Sequence, residues 1–138
     1  MNYIDTSVLV AALTTEVHTR RAERWMTTAN ELAISDWVIA EFSAALSIKL
    51  RIGTVSLDAR DMALEALATM IRQSLTLLAV GSPHFRTAAR FADQYRLGLR
   101  AADALHLAVT AEQGAALCTL DKRLARAGKT LGVVTRLV

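Results

Sequence analysis

Four acidic side chains stand where carboxylates could meet in a folded chain. Asp5 directly follows a short strand-like run, and two hydroxyl residues come after it. Asp121 follows the apolar run Ala115–Thr119 in the same way. Glu41 and Asp103 lie on apolar helical faces, where a carboxylate is costly unless it is paired, hydrogen-bonded or bound to a metal ion. Each acid alone could simply cap a helix or pair with an arginine and would be weak evidence, but four at such positions predict a shared acidic site.

Clustered carboxylates favour a hard divalent cation. Two unit charges about 4 Å apart repel by roughly 4 kcal/mol at an effective dielectric of about 20, so a cluster must take up protons or bind a cation. Oxygen ligands select Mg²⁺ or Mn²⁺, and the chain has no His/Cys set with zinc spacing. Such an ion acidifies a water molecule and stabilises the leaving oxygen of a phosphoryl group. The acids therefore point to phosphate chemistry.

Strands that alternate with helices are expected to bring these acids together. The predicted helices run over 8–13, 16–30, 36–51, 56–74, 83–97, 101–113 and 121–127. Strand signals precede Asp5 and cover 32–34, 75–80, 115–119 and 132–138. This alternation predicts an α/β fold with a parallel sheet of four or five short strands covered by helices. Ligands of such sheets bind beyond the carboxyl ends of the strands, which is where Asp5 and Asp121 would lie.

Local signals refine this expectation. The apolar run Leu75–Val80 indicates a buried parallel strand. Ser82 is expected to cap a helix whose first residue is Pro83. His18 and His84 are isolated in the sequence, and we expect both at the surface.

Composition indicates one domain spanning residues 1–138, with a hydrophobic content of 53%. No apolar run reaches the roughly 20 residues of a membrane span, and we read no signal peptide. The lone Cys118 is expected to be a small buried side chain, which fits a reducing cytoplasm. The formal net charge is +3, and 13 of the 16 basic residues are arginine, which suits phosphate contacts but is a modest excess.

The ordered acids resemble those of the PIN-domain family, and most of all those of the VapC-type toxins of bacterial toxin–antitoxin pairs and the similar FitB-like proteins. The resemblance covers essentially the whole chain. It rests on Asp5-Thr6-Ser7, Glu41 in its apolar helix, Asp103-Ala104-Leu105-His106 and Thr119-Leu120-Asp121. It implies a three-layer α/β/α sandwich and an Mg²⁺- or Mn²⁺-dependent endoribonuclease. In such enzymes an ion-activated water cuts RNA and leaves 5′-phosphate and 3′-hydroxyl ends.

The resemblance also implies roles for individual residues and partners. Asp5 and Asp103 would be direct metal ligands, and Glu41 and Asp121 would complete the catalytic site. The hydroxyl residues that would support the acids or the scissile phosphate are Thr6, Ser7 and Thr119. Similar toxins form homodimers and are inhibited by a small VapB-like antitoxin, through which the pair reaches operator DNA. No membrane partner is implied.

Other residues near the acids admit two interpretations. A metal-activated water needs no histidine base, so we favour a supporting role for His106. Arg100, Lys122 and Arg123 flank two of the acids and could contact RNA or the antitoxin, or could be solvated helix charges.

Other functions stay open at this point. A phosphatase that forms an aspartyl-phosphate could use Asp5, although Ser7 stands where that chemistry usually has a second acid. A non-catalytic binding module is another alternative, which the complete acid set disfavours. A nuclease that processes ribosomal or transfer RNA without an antitoxin would carry the same acids.

Overall fold

Five short strands form the centre of the molecule in a computed structural model that describes all 138 residues. The strands are β1 (Asn2–Ile4), β2 (Leu32–Ser35), β3 (Thr76–Leu78), β4 (Ala116–Thr119) and β5 (Thr135–Leu137). Their order across the sheet is β3-β2-β1-β4-β5, and every neighbouring pair is parallel. The predicted small parallel sheet is therefore confirmed.

Seven helices cover this sheet. They are α1 (Thr6–Leu13), α2 (Thr19–Thr28), α3 (Asp36–Arg51), α4 (Leu57–Gln73), α5 (Ser82–Ala92), α6 (Ala101–Glu112) and α7 (Lys122–Thr130). Helix α1 packs against α2, α3 and α4, whereas α5 packs against α6 and α7 packs on β5. The architecture is the expected three-layer α/β/α sandwich. None of the helices combines the length and the apolar character that crossing a bilayer requires.

The strand order reverses beside β1. The chain proceeds from β1 to β2 and β3 on one side and then returns to place β4 on the other side of β1. Ligands of open α/β sheets bind at such a reversal, beyond the carboxyl ends of the strands. Asp5 immediately follows β1 and Asp121 lies two residues after β4. Both acids therefore lie at the reversal, as the alternation of strands and helices predicted.

The core covers both faces of the central strand. Tyr3 and Ile4 are consecutive in β1 and point to opposite faces, and both are fully buried. The buried cluster continues through Phe42 of α3 and Leu107 of α6. Cys118 of β4 is also fully buried, which confirms that expectation. A sheet buried on both faces gives the residues after its strands a rigid base.

Two of the local predictions on strands and caps are wrong. Strand β3 is an edge strand, so only Leu78 is buried while Thr76 and Leu77 are exposed. Helix α5 is capped by Gly81 rather than by Ser82, which is already helical. The cause is His84, whose Nδ1 accepts a hydrogen bond from the Gly81 N–H at 3.0 Å.

Two predicted helices are shorter in the structure. The segment predicted as a helix over 16–30 is helical only over Thr19–Thr28. The helix predicted over 83–97 ends at Ala92, and a separate 3₁₀ turn follows at Tyr95–Leu97. Gly98 then adopts a left-handed conformation, with φ of +62°, and leads the chain into α6.

Gly128→Ala is expected to destabilise the fold by about 1–3 kcal/mol because of overpacking. A Cβ at Gly128 would clash with the Thr135 methyl group and lie 2.8 Å from Leu107 Cδ2. The Thr135 hydroxyl donates to the Ala125 carbonyl at 2.9 Å, which holds its methyl group against α7. Urea unfolding would measure the change. The exposed neighbour Lys129 provides the control, and Lys129→Ala should shift the free energy of unfolding by no more than about 0.5 kcal/mol.

Candidate active site

Asp5 is the most buried of the four acids. It caps α1 and is 4% exposed. Its Oδ1 accepts hydrogen bonds from the Ser7 hydroxyl at 2.6 Å and the Val8 N–H at 3.3 Å, and its Oδ2 accepts one from the Thr119 hydroxyl at 2.5 Å. Burial raises the pKa of Asp5, while His106 and the hydroxyl donors oppose the rise. The carboxylate is thus fixed in place but costly to ionise, a state that a nearby cation would relieve.

The same two hydroxyls tie Asp5 to the chain after β4. The Ser7 oxygen accepts a hydrogen bond from the Leu120 N–H at 3.1 Å, and the Thr119 oxygen accepts one from the Asp121 N–H at 2.9 Å. Asp121 caps α7 in turn, since its Oδ1 accepts from the N–H groups of Arg123 and Leu124 at 2.7 and 3.2 Å. The Asp5 carboxylate therefore joins the loop after β1 to the loop after the neighbouring strand β4.

Glu41 approaches from α3 and is held from two sides. Its Oε2 accepts a hydrogen bond from the Thr6 hydroxyl at 2.6 Å and lies 2.6 Å from His106 Nε2, which must carry the hydrogen. Burial by itself raises the pKa of Glu41, but the hydrogen bond and charge of His106, together with the Thr6 hydroxyl, bring the pKa below its ordinary value. Neither of these hydrogen bonds reaches Oε1, although the Trp37 side chain also lowers the pKa of Glu41. Glu41 is thus ionised, with both of these hydrogen bonds on Oε2.

A series of buried hydrogen bonds positions His106. The Tyr3 hydroxyl lies 3.0 Å from His106 Nδ1 and 2.7 Å from the Ser35 hydroxyl. Tyr3, Ser35 and His106 are all buried, so each needs the partners it has. His106 therefore supports an acid, as favoured above, rather than standing free as a base. Tyr3 and Ser35 were not predicted as supporting residues, although Tyr3 precedes Asp5 by two residues and must face the same side of the sheet.

Asp103 and Asp121 share a cavity at this edge of the sheet. The cavity has a volume of about 130 Å³, and Arg100 and Arg123 also line it. Asp103 lies in the first turn of α6, where one oxygen accepts from the Arg100 N–H at 3.3 Å. We call this space the acidic cavity; its full lining is Leu97, Gly98, Leu99, Arg100, Asp103, Asp121, Arg123 and Leu124.

The structure brings the predicted acids to one edge but not into a single ligand shell. Asp103 and Asp121 share the acidic cavity, and Asp5 is tied to the Asp121 backbone through Thr119. Glu41 is linked to the same edge through Thr6, which follows Asp5 directly. No three acid, histidine or cysteine side chains lie close enough together to hold a metal ion. The three predicted hydroxyl residues all donate to an acid.

One histidine does not lie where it was expected. His84 is 7% exposed rather than at the surface, and its Nε2 lies 3.3 Å from Glu112 Oε2. It joins the start of α5 to the end of α6 and forms no hydrogen bond with any of the four candidate acids. His18 is exposed, as predicted.

A family model decides the relationship of this chain to known proteins. The model of the PIN domain matches residues 3–130. The chain belongs to the PIN-domain family. Nucleases of this family generally use divalent metal ions. A search among curated proteins finds no significant match.

Several solved structures share this PIN-domain fold. VapC20 of Mycobacterium tuberculosis, a toxin that cleaves the sarcin-ricin loop, aligns with a TM-score of 0.75 at 17% identity over 97% of both chains. FitAcB from Neisseria gonorrhoeae gives 0.70 at 17% identity, over 98% of this chain and 96% of its own. VapBC2 from Rickettsia felis, bound to a DNA fragment from its promoter, gives 0.67 at 16% identity, over 99% and 98%. Identities this low show a common fold.

Thr119→Val in this PIN domain is expected to cost about 1–3 kcal/mol, since it leaves a buried carboxylate oxygen and the Asp121 N–H without partners. The Thr119 hydroxyl lowers the pKa of Asp5, so it stabilises the ionised form. The cost should therefore be greatest at high pH and shrink as the pH falls and Asp5 becomes protonated. Urea unfolding across a pH series would measure it.

The control for this substitution is Thr130→Val. Thr130 is exposed, and its hydroxyl bonds only to the Arg126 carbonyl on the same helix. A loss as large as that of Thr119→Val, or a loss that does not vary with pH, would contradict the role given to the Thr119 hydroxyl.

Proposed function

We propose that this chain, folded as one PIN domain, is a metal-dependent endoribonuclease and the toxin of a type II toxin–antitoxin pair. The observation that carries the proposal is the position of Asp5, Asp103 and Asp121 along one edge of the sheet, at the strand reversal of a PIN fold. Membership of the PIN family supports nuclease chemistry, and the likeness to VapC20 and VapBC2 supports the toxin part.

The donor set fits a hard divalent ion by its chemistry, and binding would have to bring the acids closer, since no three of them lie close enough to share an ion in the structure. All four acids offer carboxylate oxygen, which Mg²⁺ and Mn²⁺ prefer. The Thr6 and His106 hydrogen bonds leave Glu41 Oε1 free of them, and buried Asp5 has the most to gain from a cation, because burial disfavours its charge. In our proposal Asp5 and Asp103 hold the ion directly, and Glu41 and Asp121 complete the site. The bound ion would supply the acidified water and the charge that hydrolysis of a phosphodiester requires.

The remaining residues position these acids. Ser7 and Thr119 orient Asp5 through both of its oxygens, and Thr6 and His106 orient Glu41 through one. Supporting hydrogen bonds of this kind limit the movement of ligands and are worth about 10- to 100-fold in metal affinity or activity. Glu41 Oε1, and the lone pair that Asp5 Oδ2 keeps beside its one hydrogen bond, are left to face the ion and the scissile phosphate.

The partners proposed here are an RNA substrate, a second copy of the chain and a VapB-like antitoxin. The structures of VapBC2 and FitAcB support an antitoxin partner, since each has this fold. Operator DNA would be reached only through the antitoxin.

The proposal predicts metal-dependent cutting of RNA. Purified chain free of antitoxin should cut total cellular RNA into discrete fragments with Mg²⁺ or Mn²⁺, and the fragments should carry 5′-phosphate and 3′-hydroxyl ends. EDTA should stop the reaction, and Asp103→Asn should reduce the rate at least about 100-fold, as loss of a metal ligand or its support does. Titration with Mn²⁺ followed by electron paramagnetic resonance should show weaker metal binding in the variant.

Asp58→Asn is the matched control for Asp103→Asn. Asp58 is exposed in the first turn of α4, away from the acidic cavity, and its loss should change neither cutting nor Mn²⁺ binding. Cutting that survives both EDTA and Asp103→Asn would refute the proposed site. A folded chain that binds metal and cuts no RNA would favour the binding-module alternative.

The toxin part has its own test in cells. Expression of the chain should arrest growth, and the Asp103→Asn variant should not. Co-expression of a short antitoxin gene that neighbours its own gene should relieve the arrest. A chain that cuts RNA without arresting growth would instead fit a processing nuclease.

A further inference from the structure

A second cavity lies beside the acidic cavity, along one side of α7. It has a volume of about 200 Å³, and its lining consists of Arg96, Leu97, Arg123, Arg126, Ala127 and Thr130. Leu97 and Arg123 line both cavities, so the two lie side by side. Arg96, Arg123 and Arg126, with Arg100 at the acidic end, are called the arginine groove here.

The arginines of this groove have no acidic partners. All four are exposed, and none forms an ion pair. Other arginines such as Arg86 and Arg90 are also unpaired, but only these four line the two adjoining cavities. Like charges gathered on one surface repel each other unless an anion lies between them. The groove therefore gathers positive charge that no carboxylate of the chain pairs with, although Asp103 and Asp121 lie at its acidic end.

Neutral groups hold two of these arginines in place. Arg123 Nη2 donates to the Gly98 carbonyl at 3.3 Å, and the left-handed turn at Gly98 presents that carbonyl. The Arg96 guanidinium lies 5.8 Å from the centre of the Tyr95 ring, and its Nε donates to the Tyr95 hydroxyl at 3.3 Å. Both arginines keep other N–H groups free, and a guanidinium fork matches two phosphate oxygens.

We propose that the arginine groove binds the phosphate backbone of single-stranded RNA next to the bond that is cut. The inference rests on the proposed nuclease function, because the groove adjoins the cavity of Asp103 and Asp121 and shares Leu97 and Arg123 with it. Tyr95 is 77% exposed beside it and offers a ring on which an unpaired base can stack. An acidic peptide is a poorer fit, since the groove has only Leu97 and Ala127 as apolar contacts and peptide interfaces depend on buried apolar anchors.

The test is RNA binding without cleavage. Fluorescence anisotropy of a labelled single-stranded RNA would be followed in EDTA at several salt concentrations, with wild-type chain and with Arg96→Gln/Arg126→Gln. Each phosphate contact on a single strand contributes about 0.7 to the slope of log affinity against log salt. The double variant should therefore lose about 1.4 from this slope and bind at least about tenfold more weakly at low salt. Arg96→Lys/Arg126→Lys, which keeps the charge, should recover most of the slope.

A matched control removes the same charge elsewhere. Arg86 and Arg90 are exposed on α5, outside both cavities, and Arg86→Gln/Arg90→Gln should leave the affinity for RNA within about twofold, as expected for charges that touch no phosphate. Circular dichroism would verify that each variant is folded. An unchanged slope in the groove variant, or an equal loss in the control, would overturn the proposal.

Two further results separate the alternatives. Poly-glutamate is the first probe, and it could displace RNA from the wild type. If its binding also depends on Arg96 and Arg126 as strongly as RNA binding does, the groove is assigned to an acidic peptide and the RNA inference is overturned. Wild-type chain that binds RNA as expected but never cuts it with Mn²⁺ would support the groove and refute the nuclease. If the wild-type chain cuts RNA, and Arg96→Gln/Arg126→Gln binds RNA as tightly as Arg86→Gln/Arg90→Gln does, the nuclease is supported and the groove is refuted.

Discussion

The site depends on one buried carboxylate, that of Asp5. Burying an ionised group in a protein interior costs free energy. For Asp5 this cost is offset by hydrogen bonds from two hydroxyls and a backbone N–H. Ser7 and Thr119 are the hydroxyls, and each also accepts a backbone N–H from the loop after β4. They can do so because β1 and β4 are adjacent, with Ile4 opposite Cys118 in the sheet. The register of two central strands thus places Asp5 next to the backbone of Asp121.

A second constraint acts on Glu41. Its carboxylate is held by Thr6 and by His106, and His106 is held in turn by Tyr3 and Ser35. These residues come from β1, β2, α1, α3 and α6, so the chain of hydrogen bonds can form only when five elements are assembled. Buried polar networks are stabilising when every member has a partner and costly when one is lost. The network therefore favours a single arrangement of the elements around the acids.

Acids and arginines lie side by side around the site without forming ion pairs. Acids gather at the carboxyl ends of β1 and β4, and unpaired arginines continue from them along α7. Asp121 and Arg123 lie two residues apart at the start of that helix, yet Asp121 is used as its cap while Arg123 reaches back to Gly98. Local geometry at one helix end thus places an acid and a cation on the same cavity without an ion pair between them.

Much of the fold and the identity of the acids could be read from residue pattern. Alternating apolar runs and helical stripes predict a parallel sheet because the periods of strand and helix differ, and Asp5 and Asp121 follow strand signals directly. Glu41 and Asp103 stand out because a carboxylate on an apolar helical face needs a partner. Such signals are local, so they do not depend on how distant parts of the chain pack.

The identity of those partners was decided only by tertiary structure. Tyr3, Ser35 and His106 are far apart in sequence, and nothing in their local pattern shows that their hydroxyl and imidazole groups meet. The exposure of β3 follows from its place at the sheet edge, and the burial of His84 follows from the packing of α5 on α6. Residue pattern determines which side chains can do chemistry here. The order of the strands and the packing of the helices determine which of them touch, because hydrogen bonds depend on distances that only the folded chain sets.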